Sequence, residues 1–148
     1  SNGSPAANVL KQNLGAGLLT AGQSVTVSFD YRGSALAGGV LFAELHSIDG
    51  TGGVSLSETL NGGGPLFPDA DPDVWSTYSV TTTIGPDVDG GIDILLNAAC
   101  GADAGCVSDY YLDNISVTAD VAVIPVPAAA WLFGSSLLGL VGIAKRKK

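Results

Sequence analysis

Residues 24–31 read Ser-Val-Thr-Val-Ser-Phe-Asp-Tyr, with an apolar side chain at every second position. Successive side chains of a β-strand point to opposite faces, so this alternation predicts a strand with one buried and one solvated face. The same strand-like composition recurs at 40–46, 75–83, 92–96 and 110–117, and more weakly at 9–14 and 54–60. The segment 40–46 is apolar on both faces and is expected to be central.

Turn-forming stretches rich in glycine, proline and aspartate separate these segments, and the chain of 148 residues holds 21 glycines. No helical period of useful length occurs before residue 128. Five to seven short strands divided by such turns predict an all-β fold, an antiparallel β-sandwich.

Charge divides the chain unequally. Residues 1–123 carry all 14 acids and two bases, Lys11 and Arg32, whereas residues 124–148 carry four bases and no acid. Nucleic-acid binding needs many Lys and Arg side chains against phosphates, so nucleic acid is excluded as a partner. The aspartate-rich loops at 69–73 and 87–93 suit either calcium or ordinary turn chemistry, and neither matches an EF-hand loop.

The segment 121–144 is uncharged and is followed at once by Lys145, Arg146, Lys147 and Lys148. Because prolines disfavour a helix interior, we expect a linker at 120–127, a membrane-spanning helix at 128–144, and a basic stop at 145–148. The basic end places the C-terminus in the cytoplasm and a sandwich domain, residues 1–119, outside it.

The run Ile124, Pro125, Val126, Pro127 and Ala128, with the Leu/Gly-rich helix and basic end that follow, resembles the PEP-CTERM sorting signal in its VPLPA-type variant. Ile124 replaces the usual leading Val, and no Glu lies between the prolines. The resemblance implies recognition by an exosortase, a membrane protease-transpeptidase, with processing near the Pro-x-Pro-Ala motif. It also implies delivery to the cell surface or extracellular matrix of a Gram-negative bacterium.

The strands with their entry turns at 22–33, 75–80 and 110–117 resemble jelly-roll domains of the carbohydrate-binding-module and galactose-binding-like type. Such domains open with a further strand, so we expect the sequence to begin part-way through its domain and to leave a gap in one sheet. The resemblance makes Asp113, in the Leu-Asp-Asn of the last strand, a candidate ligand of a structural calcium. The sequence requires no cofactor; a structural calcium is the one candidate, and a solvated aspartate is the alternative.

Cys100 and Cys106 are predicted to form a disulfide that pins the loop between them, because the domain lies outside the cytoplasm. With two cysteines and His46 as the one histidine, neither a zinc site nor a cysteine hydrolase is expected. Glu44 is interpreted as a sheet-face residue or as a salt-bridge partner of Arg32, rather than as a catalytic acid. We therefore predict that the protein is not an enzyme.

Aromatic side chains are the candidates for sugar contact. Trp75 and Tyr78 lie on opposite faces of one strand, as do Tyr110 and Tyr111, so half of them belong to the core. Trp75 is expected inside, and Tyr78 or Tyr110 outside.

Two main functions follow from the sequence. The first is an exported structural or adhesive surface protein with a sorting tail, with the membrane, an exosortase-like protease and possible glycan as partners. The alternative is a non-catalytic carbohydrate-binding module of a larger surface enzyme. An anchored surface protein without processing is a third.

Overall fold

The computed structural model of the protein describes residues 5–119. The predicted linker, sorting motif, membrane helix and basic end, residues 120–148, lie outside this range, and the same holds for residues 1–4. Within the described range no helix is long and apolar enough to cross a membrane.

Seven strands form two antiparallel sheets packed as a sandwich, which confirms the predicted all-β class. The strands are β1 (Ala6–Leu14), β2 (Ser24–Leu36), β3 (Gly39–Ile48), β4 (Val54–Thr59), β5 (Ser76–Thr83), β6 (Gly91–Cys100) and β7 (Val107–Ala119). One turn of 3-10 helix, Asn61–Gly63, follows β4. The larger sheet has the order β1-β6-β3-β4 and the smaller sheet the order β5-β2-β7.

The alternation in residues 24–31 sets the orientation of β2, the central strand of the smaller sheet. Val25, Val27 and Phe29 are at most 1% exposed, and the intervening hydroxyl side chains face outward. In the opposite sheet, β3 is central as predicted, and its residues Leu41 and Leu45 are fully buried against the same core. Burial of these aliphatic and aromatic side chains is the main source of the stability of the sandwich.

Two glycines let β7 approach the neighbouring backbone closely. A Cβ atom on Gly33 would overlap the carbonyl oxygen of Asp109, and one on Gly39 would overlap that of Val107. Because Gly33 also has a φ of +143°, only glycine fits there without strain. These contacts fix the first half of β7 against β2 and the start of β3.

The predicted disulfide is confirmed. Cys100, the last residue of β6, is bonded to Cys106, which immediately precedes β7, with a Cα–Cα distance of 5.8 Å. It closes the connection between a strand of the larger sheet and a strand of the smaller one.

The two sheets are offset sideways. β7 packs over β6 and β3, whereas β1 extends beyond β7 at the edge of the larger sheet. Leu10 pairs with the buried Leu96 and shares its inward face, yet Leu10 is 50% exposed. Among residues 5–119, β7 is therefore an edge strand of the smaller sheet, and no described residue covers the inner face of β1 beyond it.

Candidate functional site

The outer face of the smaller sheet carries rows of exposed hydroxyl side chains. The hydroxyl groups of Thr26 and Thr81 lie 2.8 Å apart, and those of Ser28 and Ser116 lie 2.9 Å apart. Each pair joins β2 to a neighbouring strand, because the strand register places these residues side by side. The result is a flat surface of donors and acceptors.

Acidic groups interrupt this surface near its middle. Asp30 accepts hydrogen bonds from the Thr77 hydroxyl at 2.6 Å and from the Asn114 amide at 2.7 Å. These two bonds, that from Asn114 first, lower the pKa of Asp30. The carboxylate of Asp30 is therefore held in place on the surface in its ionised form at neutral pH.

At one end of the hydroxyl surface lies an aromatic and cationic stack. It is formed by Arg32, Trp75 and Tyr111. The guanidinium carbon of Arg32 lies 5.2 Å from the ring centroid of Trp75 and 4.6 Å from that of Tyr111. Trp75 is 46% and Tyr111 53% exposed, so both rings contact solvent as well as the cation. Cation–π attraction on both sides of one guanidinium stabilises this arrangement.

The sheet positions all three members of the stack. Arg32 of β2 pairs directly with Tyr111 of β7. Trp75 immediately precedes Ser76, the first residue of β5, and Ser76 pairs with Tyr31 of β2. Arg32 also donates to a carboxylate oxygen of Asp73 at 2.8 Å. Because Asp73 is largely exposed, this ion pair orients the guanidinium more than it stabilises the fold.

The predicted orientation of the aromatic residues is wrong in detail. Trp75 faces solvent, whereas Tyr78 and Tyr110 pack against the core. The Tyr110 hydroxyl donates to the carbonyl of Leu66 at 3.1 Å, and burial, with a smaller contribution from Tyr31, raises the pKa of Tyr110 to about 12. The expectation that each pair of aromatic residues is split between two faces is confirmed.

Of the two interpretations of Glu44, the salt bridge to Arg32 is not formed. The two side chains lie on different sheets, and Glu44 instead contacts His46, with 3.0 Å between Oε2 and Nε2. Nearby on the same sheet, Asp93 is 3% exposed and lies 2.7 Å from the ammonium of Lys11. The outer face of the larger sheet thus holds paired charges.

Asp113 is exposed and lies beside Asp30 in the strand register, at an irregularity in the β2–β7 pairing. Its carboxylate accepts a hydrogen bond from the backbone N–H of Asn114 at 2.7 Å. Among residues 5–119, no group of three or more His, Cys, Asp or Glu side chains is arranged to hold a metal ion. Calcium binding at Asp113 stays a prediction.

Of the solved structures compared, the one with a TM-score above 0.5 supports the fold. The enzymatically active domain of tailspike protein 4 of bacteriophage CBA120 is similar over 77% of this chain, with a TM-score of 0.55 and 13% identity. A structure described as CBM4 matches 76% of the chain with a TM-score of 0.44 and 18% identity. The infectious bursal disease virus VP2 subviral particle matches 78%, with a TM-score of 0.40 and 10% identity.

The chain spans 14% of the tailspike chain, 61% of the CBM4 chain and 29% of the VP2 chain. At these identities the likeness concerns architecture alone. The sequence matches no family model and no curated protein. The function must therefore be argued from the site.

Proposed function

We propose that the sandwich is a non-catalytic adhesive domain of an exported surface or matrix protein, and that it binds a neutral glycan through the stack. The observation that carries the proposal is the position of Arg32 between two half-exposed rings, at the end of a flat hydroxyl surface. Aromatic faces cover the C–H faces of sugars, and adjoining polar groups bond their hydroxyls.

Charge favours a neutral ligand over an acidic one. The guanidinium of Arg32 is already paired with Asp73, and Asp30, Asp109 and Asp113 lie on the same face of the sheet. Uronate or sulfate groups would meet these carboxylates at close range, where like charges repel. Neutral sugars meet no such penalty and retain the hydrogen bonds.

The binding experiment uses the full chain in mild detergent with neutral and uronic-acid polysaccharides immobilised side by side. Trp75→Ala is expected to weaken binding to the neutral glycan by about tenfold, since loss of one aromatic contact costs on the order of 1.4 kcal/mol. The matched control is Leu18→Ala, which removes a side chain that is 71% exposed and lies outside the stack. Unchanged affinity in the Trp75 variant, or preference for the acidic polymers, would contradict the proposal.

Delivery is the second half of the proposed function. The resemblance of residues 124–128 to a sorting motif, followed by an apolar segment and a basic end, supports processing by an exosortase-like enzyme after export. Intact mass of the protein from the host's surface fraction and medium tests this directly. Loss of the residues beyond the 125–128 region is expected, and an intact Lys-Arg-Lys-Lys end would refute processing.

The same stack also suits the alternative function, a carbohydrate-binding module within a larger surface enzyme. Both functions predict that Trp75→Ala weakens binding to the neutral glycan. They differ in the neighbouring sequence of the full gene, where the alternative requires a catalytic domain. In both, the sandwich itself performs no chemistry.

A further inference from the structure

A cavity of about 340 Å³ lies beside the stack, between the end of β2 and the loop that leads to β5. Residues 33–36 of β2 form one wall and residues 67–70 of the loop form the other. Because β7 pairs with residues 33–36 on one side, the cavity occupies the other side, where the pairing with β5 has already ended at Tyr31. Its volume falls within the roughly 300–1,000 Å³ of small-ligand pockets.

The cavity is continuous with the stack along the outer face of β2. Ser34 is the next residue of β2 that shares the outward face of Arg32, and it lines the cavity. Ser34 pairs with the exposed Asp109 of β7. At about 3.3 Å per residue, Leu36 at the end of the cavity lies about 13 Å along the strand from Arg32. The stack and the cavity together form one elongated surface.

The cavity presents apolar and polar side chains side by side. Phe67 is 58% exposed and Leu36 is 61% exposed, and both line it. The hydroxyl of Ser34 and the carboxylate of Asp69 belong to the same lining. An aromatic face beside a few hydrogen-bonding groups is the combination that a sugar site requires. Phe67 therefore supplies at the cavity what Trp75 supplies at the stack.

The loop wall, residues 67–70, is held in position relative to the stack by a series of hydrogen bonds. The carboxylate of Asp69 accepts from the backbone N–H of Asp71 at 2.9 Å, and that of Asp71 accepts from the N–H of Asp73 at 3.1 Å. Asp73 in turn accepts from the guanidinium of Arg32. Aspartate turns of this kind order a loop locally, so the two aromatic contacts are pre-organised before a ligand binds.

The exposed aromatic side chains of residues 5–119 all lie on the elongated surface. They are Phe67, Trp75 and Tyr111, whereas Tyr78 and Tyr110 pack against the core. On the other side of the stack, the outward-facing residues of β5 are serine and threonine. A ligand that makes a further aromatic contact beyond the stack must therefore run towards the cavity.

We propose that the ligand is a linear neutral polysaccharide that covers the stack and the cavity together, with one sugar residue on Trp75 and a later one on Phe67. The inference rests on the proposed glycan binding and adds the length and the direction of the ligand. One sugar ring covers about one aromatic face, so a short saccharide leaves the second contact unmade. Asp69 and Asp109 accept hydroxyl protons of a neutral sugar in charge-assisted hydrogen bonds.

Length-dependent binding tests the proposal. The full chain in mild detergent is titrated with gluco-, manno- and galacto-oligosaccharides, each as the disaccharide and the hexasaccharide. We expect the hexasaccharide of the preferred sugar to bind about tenfold or more tightly than its disaccharide, because only the longer ligand makes the second aromatic contact. Equal affinity for the two lengths would overturn the proposal.

Substitution of Phe67 separates this contact from the greater number of binding registers that a longer ligand offers. Phe67→Ala is expected to weaken hexasaccharide binding about tenfold and to leave disaccharide binding unchanged, whereas Trp75→Ala weakens both. Phe67→Tyr keeps an aromatic face and should retain the native affinity. The matched control is Leu18→Ala, which removes an exposed side chain outside the elongated surface. Thermal unfolding verifies that each variant is folded.

The outcomes distinguish this proposal from the proposed function on which it rests. If Trp75→Ala weakens binding but Phe67→Ala does not weaken hexasaccharide binding, the extended ligand is refuted and glycan binding at the stack stands. The same holds if Phe67→Ala weakens the two lengths equally. If Trp75→Ala has no effect, or the native chain binds none of these saccharides, both proposals are overturned.

Discussion

The two long sides of the sandwich differ in how completely the sheets cover each other. On the closed side, where β4 faces β5, the Thr82 hydroxyl donates to Glu58 across the sheets at 2.6 Å. The backbone N–H of Gly85 donates to the buried hydroxyl of Ser47 at 2.8 Å, and Ile84 beside it is 2% exposed. On the open side, β1 and β7 leave Leu10 half exposed.

This difference shows that the core is displaced towards the centre and the closed side. The hydrophobic effect is proportional to the apolar area removed from water, so side chains on the open side contribute less to stability. Within the described part of the chain, the open side carries apolar surface that is only half buried, as at Leu10.

A substitution in the core is expected to lower the free energy of unfolding most, and a substitution on the open side serves as the comparison. Phe29 is 1% exposed and contacts the rings of Tyr31 and Tyr78. Phe29→Ala is expected to lower the free energy of unfolding by about 3–5 kcal/mol through lost burial and a residual cavity. Leu10→Ala should cost less than about 1 kcal/mol, because half of that side chain is already in water.

Thermal and urea unfolding of the full chain in mild detergent measures both changes. A loss for Leu10→Ala as large as that for Phe29→Ala would show that the open side is covered in solution. If the loss does not depend on protein concentration, the cover comes from the same chain, and if it appears only at high concentration, the cover comes from another chain.

A smaller effect is expected from the disulfide, which joins the two sheets at one end. Replacement of both Cys100 and Cys106 by alanine should cost about 2 kcal/mol, as the loop that they close is short. Reduction of the native bond without mutation is the matched control and should reproduce most of the loss. Hydrogen exchange is expected to rise in the 101–105 loop and in the first half of β7, while β4 and β5 stay protected. Uniform loss of protection would mean that the two sides unfold together.

Much of the fold follows from local alternation in the sequence. All seven strand segments are present, including the two weaker ones at 9–14 and 54–60, which form β1 and β4. Their order in the two sheets is non-local, because it depends on which long-range pairings bury the most surface. The expectation that the sequence begins part-way through its domain stays a prediction.

The stack was missed because the wrong face was assigned to Trp75. The following residues Thr77, Ser79 and Thr81 are polar and share its face, which was a sufficient signal that Trp75 lies outside. The prediction placed Trp75 inside because large aromatic residues are usually buried, although the two-residue alternation of its strand indicated the outer face. The contact between Trp75 and Arg32 depends on the register of β2 and β5, which the sequence does not display.

At low pH we expect a still smaller loss of stability. It concerns the contacts that hold β1, the exposed strand of the open side, on its sheet. Burial by itself raises the pKa of Asp93, but hydrogen bonds from Lys11 and Asn13 and the charge of Lys11 outweigh it, so that the pKa is lowered from 3.8. A carboxylate with a lowered pKa contributes stability above its unfolded pKa and loses that contribution as the pH falls through the folded value. The attachment of β1 should therefore weaken below about pH 3.8.

Lys11→Met removes the cation and brings the pKa of Asp93 closer to its ordinary value. We expect a cost of about 1 kcal/mol or less at neutral pH, because Lys11 is half exposed, and a shallower loss of stability below pH 4. Hydrogen exchange in β1 between pH 5 and pH 2.5 reports the change, with Asp73→Asn as the control, since Asp73 pairs with Arg32 on the other sheet and is 87% exposed. Identical acid profiles for Lys11→Met and the native chain would show that the pair with Asp93 does not hold β1 in place, and the open side would then depend on apolar contacts alone.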